Sequence, residues 1–195
     1  MKKNILLAFL VVAVISCKKS DPDPVPVVSG DLKLGSSWVY KYTDFDETGA
    51  VVSTMNVTAT ITSSQTLGGE QYWVLTGAGA PSYIRKATTG YYDYVNNITQ
   101  LKYKIPAVVN DTWRLTYSGA AGDYEDFTVM AINENVTVPF GTISCYHIEG
   151  HDSNSLEDKE WYNEANVLVK QLEYDQSATG AMFVDFSLEL VNFTP

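Results

Sequence analysis

The 195-residue chain is poor in cysteine and histidine, with Cys17, Cys145, His147 and His151 as its full set. Only "CYHIEGH" gathers metal-type residues, and a zinc site needs three or four ligands. Cys145 and His147 stand two apart and share a strand face, with Glu149, His151 or Asp152 in reach. The expected reading is a buried thiol beside a half-buried imidazole, with no metal and no cofactor. Basic residues are scarce too: 13 Lys and Arg face 23 Asp and Glu, for a net charge of −10. Such a surface repels nucleic acid and anionic lipid, so neither is an expected partner. A Gly-x-Ser-x-Gly elbow is missing, which removes the common esterase arrangement. So is a Gly-Lys-Ser/Thr phosphate loop. Helical periodicity never lasts beyond about two turns after the N-terminus, and no repeat of fixed period is visible. The longest apolar run, "ILLAFLVVAVI" from Ile5 to Ile15, is too short to span a bilayer, which needs ~20 residues.

That run has another reading. Lys2 and Lys3 precede it, and Ser16 and Cys17 follow. A basic start, a short apolar stretch and a small residue make a secretory signal, expected over residues 1–16. An ordinary cleavage site needs no cysteine, whereas "VISC" resembles the bacterial lipobox. The resemblance implies a lipidated Cys17 as the mature N-terminus and a membrane anchor through its acyl chains. Each buried methylene adds about 0.8 kcal/mol, so several chains hold firmly. Residues 17–30 continue as a linker with Pro22, Pro24 and Pro26 in alternate positions. Proline favours extended polyproline II at about 3.1 Å per residue, a reach of roughly 40 Å. With Cys17 lipidated, Cys145 has no intrachain disulfide partner.

What the rest contains in abundance is strand signal. Apolar residues make up 45% of the chain, enough for a packed core, and 13 tyrosines lead an aromatic share of 12%. "SWVYKYTDF" sets Trp38, Tyr40 and Tyr42 on one face. In "VVSTMNVTATITSS", odd positions from Val51 to Ile61 are mostly apolar and even ones mostly threonine, the mark of a half-buried antiparallel strand. "DETGA" between them reads as a hairpin turn, with Gly49 where φ > 0 costs little. "TQLKYKI" alternates Leu101, Tyr103 and Ile105 against Gln100, Lys102 and Lys104. "YEDFTVMAINENVTV" is a long strand whose two faces both turn apolar near Val129–Ala131, which suggests a bulge. About eleven strands are expected, with room for a short helix in 98–117 or 152–160. Residues 31–195 then form one all-β domain. A meander this long must curl, or it leaves a bare apolar face and open edges. The expected fold is a curved antiparallel meander forming an open barrel or roll.

The order of "GSSWVYKY", "VVNDTW", "VTVPFGTISCYHI" and "EWYNEANVLVK" resembles small Bacteroidota outer-membrane lipoproteins. Their domain is similar to the lipoprotein-localisation factor: a curved sheet forming an open β-barrel, some with a hydrophobic interior. The resemblance covers roughly residues 35–175. Asn110 and Asn166 stand where the pattern has glycine, and asparagine best tolerates the left-handed region. The resemblance implies an outer-membrane location, on either the periplasmic or the exposed face.

Two further groups bear on chemistry. "LEDKEWYNE" carries Glu157, Asp158, Glu160 and Glu164, and paired carboxylates can do acid/base work in a cleft. Beside Lys159 at a strand start, they read as a solvated turn. Aromatic platforms stack on sugars and apolar ligands, but most tyrosines here read as ordinary strand residues. The expectation is a non-catalytic envelope module that binds or carries an apolar or glycan ligand. Its candidate lining residues are Trp38, Tyr40, Trp73, Trp113 and Phe186. The alternative is a structural or accessory lipoprotein of an outer-membrane protein complex, which would present an exposed aromatic patch.

Overall fold

The computed structural model describes residues 32–77, 79–117, 124–152, 155–163 and 168–195. The expected signal, Cys17 and its linker, and also Glu164 and Asn166, lie outside these. Twelve strands follow one another: β1 Ser37–Phe45, β2 Val51–Leu67, β3 Glu70–Thr76, β4 Ser82–Ala87, β5 Gly90–Val95 and β6 Ile98–Lys104; then β7 Thr112–Thr116, β8 Tyr124–Val138, β9 Gly141–Asp152, β10 Ser155–Tyr162, β11 Leu168–Gln176 and β12 Met182–Thr194. No helix occurs among the described residues. Both stretches with room for one are extended instead: β6 and β7 occupy 98–116 around a turn, and β10 occupies 155–162.

All twelve join one antiparallel sheet in the order β6-β5-β4-β3-β2-β1-β12-β11-β10-β9-β8-β7. Neighbours in sequence are neighbours in space, and β1 also pairs with β12, so the first and last strands meet mid-sheet. The result is a nearly closed barrel whose two edges, β6 and β7, follow each other in the chain.

Turn chemistry sets the hairpins. Asp46 Oδ1 accepts from the Thr48 and Ala50 amides at 2.8 and 3.0 Å, with Gly49 at φ 79. Asn96 and Asn97 both have positive φ, 51 and 64, and link Val95 to the paired Ile98 in a two-residue turn. Asn110 sits at φ 71, as expected for its replacement of glycine. Its amide bonds the Val129 carbonyl at 2.9 Å.

Bulges curve the sheet. The expected one in β8 is present between Val129 and Ala131, and a second shift follows before Glu134. They turn the β8–β9 hairpin so that its tip reaches back to β12, where the Phe140 amide donates to the Leu190 carbonyl at 3.0 Å. Val136, Val138 and Ile143 are buried there with Val169 and Leu190. A fully buried Leu or Val contributes about 1.5–3 kcal/mol.

Side chains bridge the seam where backbone pairing stops. Gln100 acts as a substitute peptide: its Nε2 donates to the Thr116 carbonyl at 2.7 Å, and its Oε1 accepts from the Thr116 amide at 2.5 Å. Asn96 adds a bond to the Tyr117 carbonyl. Further along, the Tyr162 hydroxyl on β10 donates to the Lys104 carbonyl at 3.0 Å, and Tyr103 stacks on Tyr162 at 4.3 Å. A two-sided polar bond in place of a ladder rung lets the edge close without leaving Thr116 unsatisfied.

Candidate functional site

The inward face follows from register. Tyr40 opposes Val57 on β2 and Leu190 on β12, while Tyr42 opposes Met55 and Leu188. All but Leu190 line one or both of two adjoining hollows. The deeper, about 250 Å³, is lined by Leu32, Trp38, Tyr40, Ala59, Leu75 and Ile84, with Asp93, Lys102 and Tyr103 on its polar flank. The other, about 550 Å³, is a more open groove of Tyr40, Tyr42, Met55, Val57, Phe186 and Leu188. Tyr40 and Ala59 belong to both. Trp38 is only 3% exposed, yet its Nε1 has no hydrogen-bond partner. A buried unsatisfied donor costs about 1–3 kcal/mol.

Of the five aromatic residues singled out in the sequence, Trp38 and Tyr40 line the deeper hollow, and Tyr40 and Phe186 line the groove. Trp73 opposes Ile84 on β4 and packs against the core, but lines neither space. Trp113 likewise lines neither, and stacks on Phe127 at 5.7 Å.

The opposite wall is acidic. On β10, Asp158 and Glu160 share the inward register with Tyr162, opposite Gly150, Ile148 and Tyr146 of β9. They are 4% and 1% exposed, so the expectation of a solvated turn is wrong. The barrel's closure turns this strand's polar face into its interior. Lys102 reaches across from β6 to Glu160 Oε1 at 3.0 Å, and the Tyr103 hydroxyl donates to Glu160 Oε2 at 2.5 Å. Simple alternation sets Lys102 against Tyr103, yet both reach the same Glu160. A register shift between Tyr91 and Tyr92 accompanies the turn of Lys102 into the barrel.

Glu125 on β8 is 4% exposed and accepts from the Tyr117 hydroxyl through Oε2. Its Oε1 and Asp158 Oδ1 have no hydrogen-bond partner. Both lie over Gly150, where a Cβ would collide with Glu125 Oε1 and sit 2.8 Å from Asp158 Oδ1. Glycine there leaves the room that the two carboxyls occupy. Beside them, a polar pocket of about 200 Å³ is lined by Tyr117, Tyr124, Glu125, Asp152, Glu157 and Glu173.

Crowding raises these acids. Burial, then Glu160 and Glu125, push Asp158 up to about 10, against Lys102. Burial and the charges of Glu125, Glu160 and Glu157 push Glu173 to about 7. Burial raises Asp93 to about 6 despite Lys102, and burial raises Glu125 despite Tyr117. Burial works against the Lys102 ammonium, but Glu160, Asp93 and Asp158 outweigh it and hold it above the usual lysine range. The interior thus carries more acid than Lys102 can balance.

"CYHIEGH" resolves on the other face. His147 Nδ1 lies 2.9 Å from Glu134 Oε2, and Trp161 Nε1 donates to Glu134 Oε1 at 2.9 Å. The imidazole stacks on Trp161 at 4.6 Å. Cys145 is buried, and burial and Glu134 push its thiol up to about 12. No group of three or more His, Cys, Asp or Glu is placed to hold a metal among the described residues.

The sequence held one overlooked sign of the acidic wall. Glu125 stands in register with Phe127 and Val129, a lone charge in an otherwise apolar, buried set. Asp158 and Glu160 had no such sign, because Trp161 and Tyr162 make both faces of that strand aromatic.

No family model matches the chain, and no curated protein matches it. Among solved structures it is similar to a crystallised domain assigned to outer-membrane lipoprotein sorting, from Vibrio parahaemolyticus. The likeness has 11% identity and a TM-score of 0.23, over 84% of this chain and 86% of that one. At that score it carries no argument, and the chemistry of the interior has to speak for itself.

Proposed function

We propose that this chain is a lipid-anchored envelope domain that binds or carries an apolar ligand inside its barrel without catalysing a reaction. One observation carries the reading: two adjoining hollows, about 250 and 550 Å³, share the wall of Tyr40 and Ala59. Ligand sites are concave and largely apolar with a few polar groups to orient the guest, and these spaces fit that description. The lining is aliphatic and aromatic, which favours an apolar ligand over a glycan. The unpartnered Trp38 Nε1 is a donor that a ligand oxygen would satisfy.

A non-catalytic role fits the groups outside the interior. At neutral pH a thiol pushed to about 12 is not a thiolate. Glu134 and Trp161 hold His147, and among the described residues its Nε2 has no hydrogen-bond partner.

The test uses the full chain and the neutral fluorophore N-phenyl-1-naphthylamine. Binding in the hollows should raise its emission. Ala59→Trp, which fills the wall common to both, should weaken binding at least tenfold with an unchanged circular dichroism spectrum. Undiminished binding by that variant would defeat the reading. The anchor rests on residues 1–17, and the outer-membrane location on the resemblance over roughly residues 35–175. Cys17→Ala should leave an unprocessed precursor that metabolic labelling with a fatty acid does not mark.

An accessory role in an outer-membrane complex has its own observation. Val108, Val109, Met130 and Ile132 are exposed on adjoining segments, joined where Asn110 bonds Val129. The patch is aliphatic, not the aromatic one expected. Met130→Asp would abolish cross-linking to a membrane partner and spare fluorophore binding if that role is real.

A further inference from the structure

The two unlike walls meet at one rung of the sheet. Phe186 lines the open apolar groove, and Glu173 lines the acidic pocket. They are direct partners across β11 and β12, so their side chains leave the same face of the sheet side by side. A molecule lying in the groove therefore extends onto carboxylates at that rung.

The acidic pocket has features that a chance cluster of surface acids lacks. Glu125 lines it at 4% exposure, and Glu125 Oε1 and the neighbouring Asp158 Oδ1 are buried with no donor. Glu160, by contrast, has Lys102 on one oxygen and Tyr103 on the other. Glu173 receives only the Gln171 amide, at 3.2 Å, and pairs with no cation among the described residues. Two tyrosines complete the wall. Arg114 lies 3.7 Å over the Tyr124 ring, whereas Tyr117 is 43% exposed and offers its ring beside Glu125. Carboxylates with an aromatic face are the combination that attracts an organic cation.

We propose that the ligand is a cationic amphiphile, its apolar chain along Tyr42, Met55, Phe186 and Leu188 and its ammonium group in the pocket of Glu125, Glu173 and Tyr117. This rests on the apolar-ligand reading and specifies the head group. The cation supplies the charge that the acidic wall lacks, and its N–H groups or alkyl substituents meet carboxylate and ring together. A fatty acid would place a carboxylate against carboxylates, and the site rejects it by like-charge repulsion. Carboxylates without a cation crowd and hold protons, which the raised values of Asp158 and Glu173 report.

Three ligands of one chain length test the head group on the full chain at pH 8: decylammonium, decanol and decanoate, each displacing N-phenyl-1-naphthylamine below its micelle concentration. The expected order is decylammonium, then decanol, then decanoate, with at least tenfold between first and last. Added salt should narrow that gap. Glu173→Gln should reduce the ratio of decylammonium to decanol affinity about tenfold, and Glu125→Gln should act in the same direction. Glu173 is only half buried, so its variant keeps the test alive if Glu125→Gln fails to fold. Decanoate binding as tightly as decylammonium would overturn the head-group assignment and leave the apolar-ligand reading standing. An unchanged ratio in folded Glu173→Gln would do the same. Failure of all three to displace the fluorophore would overturn both.

Discussion

The two walls of this barrel use one backbone architecture to opposite ends. Around β1, β2 and β12, inward positions carry Trp38, Tyr40, Val57, Ala59, Leu188 and Leu190, an apolar surface. Around β8 to β11, the same inward positions carry Glu125, Asp158, Glu160 and Glu173. The apolar wall gains stability with each side chain it buries, at roughly 25 cal/mol per Å². The acidic wall loses it unless each oxygen finds a donor or a proton. A protein keeps such a wall at a cost to stability, and costs of this kind cluster at functional sites.

The contrast can be broken from the acidic side first. Lys102→Met removes the ammonium from Glu160, which is 1% exposed and 3.0 Å away. Leaving one member of a buried pair alone costs about 3–5 kcal/mol. Urea unfolding should show a loss of that size, and Lys102→Met with Glu160→Leu should regain most of it. A single variant as stable as the parent would mean that the pair carries no net interaction.

On the apolar side, Leu190→Ala empties a fully buried position that faces Tyr40. The expected loss is about 3 kcal/mol, from lost burial and the cavity left behind. Unlike the lysine variant, it should be insensitive to pH between 5 and 8.

Gly150→Ala tests the room over the carboxyl pair. The added methyl meets Glu125 Oε1 and Asp158 Oδ1, and overpacking of this kind costs about 2 kcal/mol. Gly150→Ala in an Asp158→Ala background should cost less, because one of the two obstructing groups is gone.

The pH slope tests the acidic wall as a whole. Asp93, Glu173 and Asp158 have folded values of about 6, 7 and 10, whereas unfolded carboxyls titrate near 4. Between pH 4 and each folded value the native state holds more protons than the unfolded chain. Stability from these groups therefore falls as pH rises through that window. Lys102, Glu125, Glu157 and Glu160 face them, and Glu125, itself raised by burial, adds to the same slope. Thermal melts should give a higher Tm at pH 5 than at pH 8, and Asp158→Asn should flatten the slope. A Tm that climbs from pH 5 to pH 8 would contradict the crowded acidic wall.

Much of the fold was legible because strand and turn signals are local. The alternation in 51–61 marks the strand but overstates its burial: Ile61 is buried, whereas Val51 and Met55 are 60% and 53% exposed. Asn110 declares a left-handed turn because few other residues accept φ 71. The Asn96–Asn97 turn is equally local, since paired asparagines suit two positive φ values. The site was less legible. Trp38, Tyr40 and Phe186 announced themselves as large aromatics on apolar faces, and they line the hollows. Asp158 and Glu160 did not, since carboxylates beside a lysine look solvated until a second wall covers them. Lys102 was illegible for the same reason, since its partner lies 58 residues away.

What the sequence determined alone is a ribbon of antiparallel strands with its turns placed, because period-two patterning and φ preferences act over a few residues. Only the tertiary structure decided which face became the inside on each stretch. Bulges at Val129–Ala131 and Tyr91–Tyr92 and the Gln100 seam exert their effect through closure, which brings β6 onto β10. Burial of a charge is a property of both walls at once, and no single strand encodes it.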